Sequence, residues 1–180
     1  SINTGGGTGT ASGTAGEINF NAGDLIIDGP VTIDTTNGGA SEGGDINFTG
    51  EVDGEAGVPD DDLTLIAGTV GNIDFQQAVG FNQELNALAI NSANNVDASS
   101  TIRADSFTQL AGEGLTNLQG TLTLLGNTFS FTGTNLTISG AGNSVTGDMT
   151  VTQSGLFDQD GDITVTGAFL QNGAGTNQLG

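Results

Sequence analysis

The chain has no cysteine, histidine, tyrosine or tryptophan, and Arg103 is its single basic residue against 21 Asp and Glu. Each absence closes a class of explanation. Without cysteine there is neither a disulfide framework nor a thiolate metal site. Without lysine there are no autocatalytic Lys–Asn crosslinks, and a trypsin-like protease finds one site, after Arg103. The formal net charge of −20 excludes nucleic acid as a partner, because affinity for phosphate comes from Lys and Arg. Anionic membrane surfaces are excluded on the same ground. No run of about 18 apolar residues offers a membrane span, so no membrane insertion is expected. No basic stretch followed by an apolar one opens the chain, so any export signal is expected to lie outside this segment or to have been removed. Divalent cations and basic partners are the company this composition favours.

What is present is repetition. GEINF at Gly16 to Phe20 returns as GDINF at Gly44 to Phe48 and as GNIDF at Gly71 to Phe75. The starts are spaced by about 27 residues, and self-similarity at such an interval marks stacked repeat architectures. The second half repeats faster. Leu122-Thr123-Leu124, Leu136-Thr137-Ile138, Met149-Thr150-Val151 and Ile163-Thr164-Val165 follow one another at a nearly constant, shorter interval. That interval reads as half the long one, which leaves the rung at about 14 or about 27 residues. A longer echo joins Phe107-Thr108-Gln109 to Phe169-Leu170-Gln171; Gly114, Leu118 and Gly120 follow the first, and Gly175, Leu179 and Gly180 the second. The first copy continues into Thr121-Leu122-Thr123, and the second finds its natural continuation in Ser1-Ile2-Asn3.

Segments such as Asp45 to Thr49, Leu63 to Ala67, Thr121 to Leu125 and Asp148 to Gln153 alternate polar and apolar residues, with the Ile, Val, Phe and Thr that suit a half-buried strand. Asn37-Gly38-Gly39, Gly71-Asn72, Gly126-Asn127 and Gly142-Asn143 bound them. Glycine and asparagine tolerate positive φ, so these pairs predict corners. Only Pro30 and Pro59 interrupt backbone pairing. Over Gln83 to Asn95, Leu85 and Leu88 have a helical interval whereas Leu88 and Ile90 alternate, and the strand is the preferred reading. The whole predicts an all-β parallel β-helix, or β-solenoid, with Ile18, Ile46 and Ile73 stacked inward and Phe20, Phe48 and Phe75 in an aromatic ladder. Residues 1–15, with Gly5-Gly6-Gly7, read as a Gly-rich linker or joining segment, and 16–180 as a single solenoid. A hydrophobic content of 34% suits a narrow, elongated core.

Gly44-Asp45-Ile46-Asn47-Phe48-Thr49-Gly50-Glu51-Val52, Leu63-Thr64-Leu65-Ile66-Ala67-Gly68 and Phe107-Thr108-Gln109-Leu110-Ala111-Gly112 resemble phrases of the filamentous-haemagglutinin-like repeats of large bacterial surface proteins. The resemblance covers nearly the whole chain from Gly16. It implies a right-handed parallel β-helix in a secreted adhesin or surface fibre, and it carries over no catalytic residue.

Two acidic runs are candidate metal sites. Asp158, Asp160 and Asp162 alternate around Gly161, and such a turn can direct oxygens at calcium, which takes about 6–8 of them. The glycine stands fourth rather than sixth and no Glu occupies the twelfth position, so this is no EF-hand loop. Asp60, Asp61 and Asp62, with Asp53 and Glu55 near by, form the second candidate. For both, a solvated acidic corner is the plainer reading. Carboxylates stacked on neighbouring rungs would repel by about 0.9 kcal/mol a pair in water, so cations are expected to stabilise the fold. Thr121/Thr123, Thr150/Thr152 and Thr164/Thr166 suggest a flat hydroxyl array of the kind that matches ice, broken at Asn135.

Catalysis has little to work with. Arg103 is the single candidate for handling acidic substrates, and nine Phe with no Trp or Tyr make poor sugar platforms. No enzyme is expected. The composition and repeats point to a structural subunit or repeat module of an extracellular filament. Copies of the chain would join head-to-tail through the strand edges at Ser1, Ile2, Asn3 and at Gln178, Leu179, Gly180. The alternative is an adhesin-type module displaying a surface to a glycan, a cell or ice.

Overall fold

The computed structural model describes the backbone of Ile2–Asn3 and residues 16–21, 23–36, 42–57 and 60–180. Ser1, most of the 1–15 segment, Asn37-Gly38-Gly39 and Pro59 lie outside the described residues. The described residues form strands and no helix, and every strand pairing is parallel. The chain is a parallel β-solenoid of three sides.

The first side is an eight-stranded ladder of Ile18–Phe20, Ile46–Phe48, Ile73–Phe75, Val96–Ala98, Leu115–Leu118, Asn135–Ile138, Leu156–Gln159 and Thr176–Leu179. Ile18, Ile46, Ile73, Val96, Thr116, Leu136, Phe157 and Asn177 share one column. Their numbering sets the length of each rung, about 27 residues for the first two and about 20 residues from Val96 onward, with an intermediate rung between. The rung therefore shortens along the chain. Seven steps at the usual strand spacing give a stack about 34 Å long.

The second side begins with Leu25–Ile27 and Val52–Gly54, passes through a single bridging residue, Val79, and continues with Ile102 to Ala104, Leu122–Leu124, Asn143–Val145 and Ile163–Val165. The third carries Ile2–Asn3, Val31–Asp34, Asp62–Ile66, Leu85–Ser92, Phe107 to Gln109, Phe129–Gly133, Met149–Gln153 and Phe169–Gln171. Two long strands, Leu85–Ser92 and Ile102–Gln109, bend from the second side into the third, with Leu85 paired to Ala104, and join the two sides into a single sheet.

This geometry explains the short echo of the second half. Leu122 lies on the second side, Leu136 on the first, Met149 on the third and Ile163 on the second again. Each step advances two sides of three, so the short interval is two thirds of a rung of about 20 residues rather than half of a long one. The longer echo is true stacking: Phe107, Phe129, Met149 and Phe169 are successive partners in register.

The helical interval at Leu85 and Leu88 has a similar origin. Within Leu85–Ser92 the consecutive residues Asn86 and Ala87 both face outward, and Asp105 and Ser106 do the same in Ile102–Gln109. A bend from the second side to the third costs one beat of the alternation and leaves buried residues three apart.

Inward residues form a continuous apolar column. Phe20 stacks on Phe48 at 5.0 Å and 1°, and Phe48 on Phe75 at 4.9 Å and 5°. Phe107 stacks on Phe129 at 5.1 Å. Full burial of each such ring contributes about 1.5–3 kcal/mol. Of the inward polar groups, the Thr116 hydroxyl donates to Gln109 Oε1 at 2.9 Å and Asn143 Oδ1 accepts the Leu122 N–H of the rung before at 2.8 Å, while Gln109 Nε2 finds no partner among the described residues.

Corner glycines answer to contact more than to φ. At Gly120, Gly140 and Gly161, one above another, a Cβ would run into the backbone of Ser100, Gly120 and Gly140 respectively, and none of the three has positive φ. Side chains there would push neighbouring rungs apart.

Candidate functional site

The two acidic runs take different places in the rungs. Asp158 faces outward on the first side, half-buried, while Asp160 and Asp162 are exposed at the corner that leads to the second side. Alternation along a straight strand would have aimed all three one way; the corner after Gln159 spreads them. In the other run Asp60 is exposed, and Asp62 accepts the Asn86 side-chain amide at 2.6 Å. Asp61 turns inward and is 1% exposed. Among the described residues no group of three or more acidic side chains converges closely enough to hold a metal ion.

Several outward carboxylates accept amides of neighbouring rungs rather than stacking on one another. Asp45 Oδ1 accepts the backbone N–H and the side-chain amide of Asn72 at 2.7 and 3.0 Å, and Asn72 Oδ1 in turn accepts the Asn95 amide at 2.9 Å. Asp97 receives Asn117 at 3.2 Å and Gln119 at 2.6 Å. Asp74 and Asp97 are the pair of carboxylates brought into direct strand register. Repulsion between rungs is thus relieved by hydrogen bonds in the strands, which the sequence pattern alone did not reveal.

The exception is the second side of the first two rungs. Leu25, Ile26 and Ile27 pair with Val52, Asp53 and Gly54. The same register sets Asp24 beside Glu51 and Asp28 beside Glu55. The Asp28 charge, together with a hydrogen bond between the two carboxyls, raises the Glu55 carboxyl above its ordinary 4.5, and Asp61 pushes the same way. Asp61 Oδ1 accepts the Gly29 N–H at 3.1 Å, while its buried Oδ2 takes no hydrogen bond from the described residues. Asp53, 2% exposed, accepts the Asn82 backbone N–H and side-chain amide at 3.0 and 2.8 Å.

At the ends of the stack, among the described residues, the terminal strands pair on one side only. Gln178 and Leu179 belong to the last first-side strand, and the Gly180 N–H donates to Gln159 at 2.7 Å. Ile2 and Asn3 pair with Ile33 and Asp34 on the third side. Ser1 lies outside the described residues. A path leaving Gly180 next enters the second side, so continuing it directly into Ile2-Asn3 would skip a side. Among the described residues, sequence reasoning missed the other edges, Ile163–Val165 and Phe169–Gln171 at one end and Ile18–Phe20 and Leu25–Ile27 at the other. At the C-terminal end the interior stands open. A cavity of about 340 Å³ is lined by Met149, Phe157, Gln159, Ile163, Val165, Phe169 and Leu179. Phe169 and Leu179 are 48% and 60% exposed.

The hydroxyl array is distributed differently from the expectation. Thr121/Thr123 and Thr164/Thr166 belong to the second side and Thr150/Thr152 to the third. A separate outward column, Thr32, Thr64, Ala89, Thr108, Ser130 and Thr150, runs in register up the third side. Set against known proteins, the chain matches no protein-family model, no curated protein and no solved structure.

Proposed function

We propose that this chain is a structural module of an extracellular bacterial filament or surface fibre, of the kind its repeats resemble, extended head-to-tail through β-strand edges. The observation that carries the reading is the open C-terminal end. There, three strand edges surround an apolar cavity of about 340 Å³, with Phe169, Leu170 and Leu179 about half exposed. Unpaired edges are templates for another strand, and an apolar opening gains from being covered. The first rungs offer matching inward residues, Ile18, Phe20, Leu25 and Ile27. Charge supports the same polarity. No Asp or Glu lies beyond Asp162, so a neutral last rung would meet the acidic first one. The next rung would come from another copy or from more of the same polypeptide.

Negative-stain electron microscopy of the purified protein, in millimolar calcium and after chelation, tests this. Filaments with an axial repeat of about 34 Å are expected, and a Phe169→Asp/Leu179→Asp variant should remain monomeric. Loss of filaments on chelation would place cations, calcium first, at the joints. Wild-type monomers in both conditions would sink the reading. They would favour a display module for a glycan, a cell surface or ice, for which the aligned hydroxyls of the third side are the supporting feature.

A further inference from the structure

The second side of the first three rungs differs from the rest of the surface. Asp24 and Asp28 flank Ile26 on the first rung, and Glu51 and Glu55 flank Asp53 on the next. Ile26 is 54% exposed and Phe81, beside Asn82 on the third rung, is 61% exposed. Asn82 ties this corner to the patch by donating to Glu51 at 2.9 Å and to Asp53 at 2.8 Å. In later rungs the same outward column carries Gly80 and then Arg103, whose guanidinium is held by Glu84 at 3.3 Å, followed by Thr123, Ser144 and Thr164. Four carboxylates around two exposed apolar side chains are therefore confined to one end of one side.

Among the described residues, none of the patch carboxylates is paired with a cation. The Asp28 and Glu55 carboxyls face each other, and beneath them Asp61 Oδ2 is buried without a hydrogen-bond partner among the described residues. The cation that would balance them cannot come from a second copy. Arg103 is the chain's single basic residue and is engaged with Glu84 at 3.3 Å. Nor do the carboxylates converge on one point, as a bound metal ion requires.

We propose that this face docks a basic segment of a different protein, with Lys or Arg side chains set against Asp24, Asp28, Glu51 and Glu55 and apolar side chains against Ile26 and Phe81. Charge gives speed and orientation to such an encounter, and the exposed apolar pair gives it an anchor. This docking is independent of whether the stack grows end to end.

The test uses a fluorescein-labelled Lys-Leu-Lys-Leu-Lys-Leu peptide, its Lys-Ser counterpart and fluorescence anisotropy at fixed salt. Two variants remove equal charge. Asp24→Asn/Asp28→Asn/Glu55→Gln acts within the patch, and Asp158→Asn/Asp160→Asn/Asp162→Asn acts at the far end. Every substituted patch residue is exposed, so folding is preserved, as circular dichroism would verify. The patch variant should weaken Lys-Leu binding by about tenfold or more and the distant one by less than about twofold. Ile26→Ser/Phe81→Ser should bring Lys-Leu binding down to the Lys-Ser level. Equal losses from the two charge variants would reduce the effect to net charge and overturn the proposal. So would indifference to Ile26 and Phe81, or calcium binding that the patch substitutions alone abolish.

Discussion

Glu55 and Asp28 show what a single register position decides. A glutamate raised above 4.5 by a neighbouring carboxylate is protonated more readily in the folded chain than in the unfolded one. Its contribution is therefore most favourable below the ordinary value and is lost as pH rises through the raised one. Glu55→Gln should raise the melting temperature at neutral pH, with the gain vanishing as pH falls below about 4.5. Thermal unfolding followed by circular dichroism from pH 3 to 8 measures this, and a gain that persisted at low pH would point away from the Asp28 contact. The three-Asp run at Asp60 was legible as a string of letters, whereas the Asp28–Glu55 pairing was not. Two rungs of unequal length had to be aligned before either residue met the other, and nothing local to either residue specifies that alignment.

Among the elements, the three-residue strands of the first side owe their order to what stands above and below them. Phe48 has a ring on each face, at 5.0 and 4.9 Å. Phe48→Ala removes both contacts and opens a void between backbones fixed by parallel pairing, so a loss of about 3–5 kcal/mol is expected in urea denaturation. Phe20→Ala, at the half-buried end of the ladder, should cost less. This ladder was readable in advance, because GEINF, GDINF and GNIDF hold Ile and Phe two positions apart at nearly equal intervals. The strand over Leu85–Ser92 was harder to read, since the bend at Asn86 and Ala87 imitates a helical interval. Among the described residues, the corners at Gly71, Gly126 and Gly142 were located correctly by composition. In the Gly120, Gly140 and Gly161 column the cause is the backbone of the rung before, which is a long-range contact that no turn rule contains.

At the scale of the whole molecule, stability is a sum over neighbours. Each rung touches the one before and the one after, so a stack of this kind opens from its ends. Amide hydrogen exchange should be slowest in the central strands from Leu63 to Ile138, whose inward residues are nearly all buried, and faster from Ile163 to Leu179, where they are half or more exposed. If filaments form, protection of the last rung should rise toward that of the centre. Uniform protection in the monomer would show that the stack opens as one unit.

The three-sided winding also constrains how this chain can change in length. Loss or gain of about 20 residues in its second half removes or adds one complete turn and leaves everything downstream facing as before. Duplicating the shorter interval, though it copies the most conspicuous phrase in that half, would rotate the rest of the protein by two sides. Each downstream segment would then meet a rung built for a different side, and the glycine column would lose its alignment. Length variants of this protein that fold should therefore differ by whole turns, so its polymorphism is quantised by geometry rather than by the motif most visible to the eye.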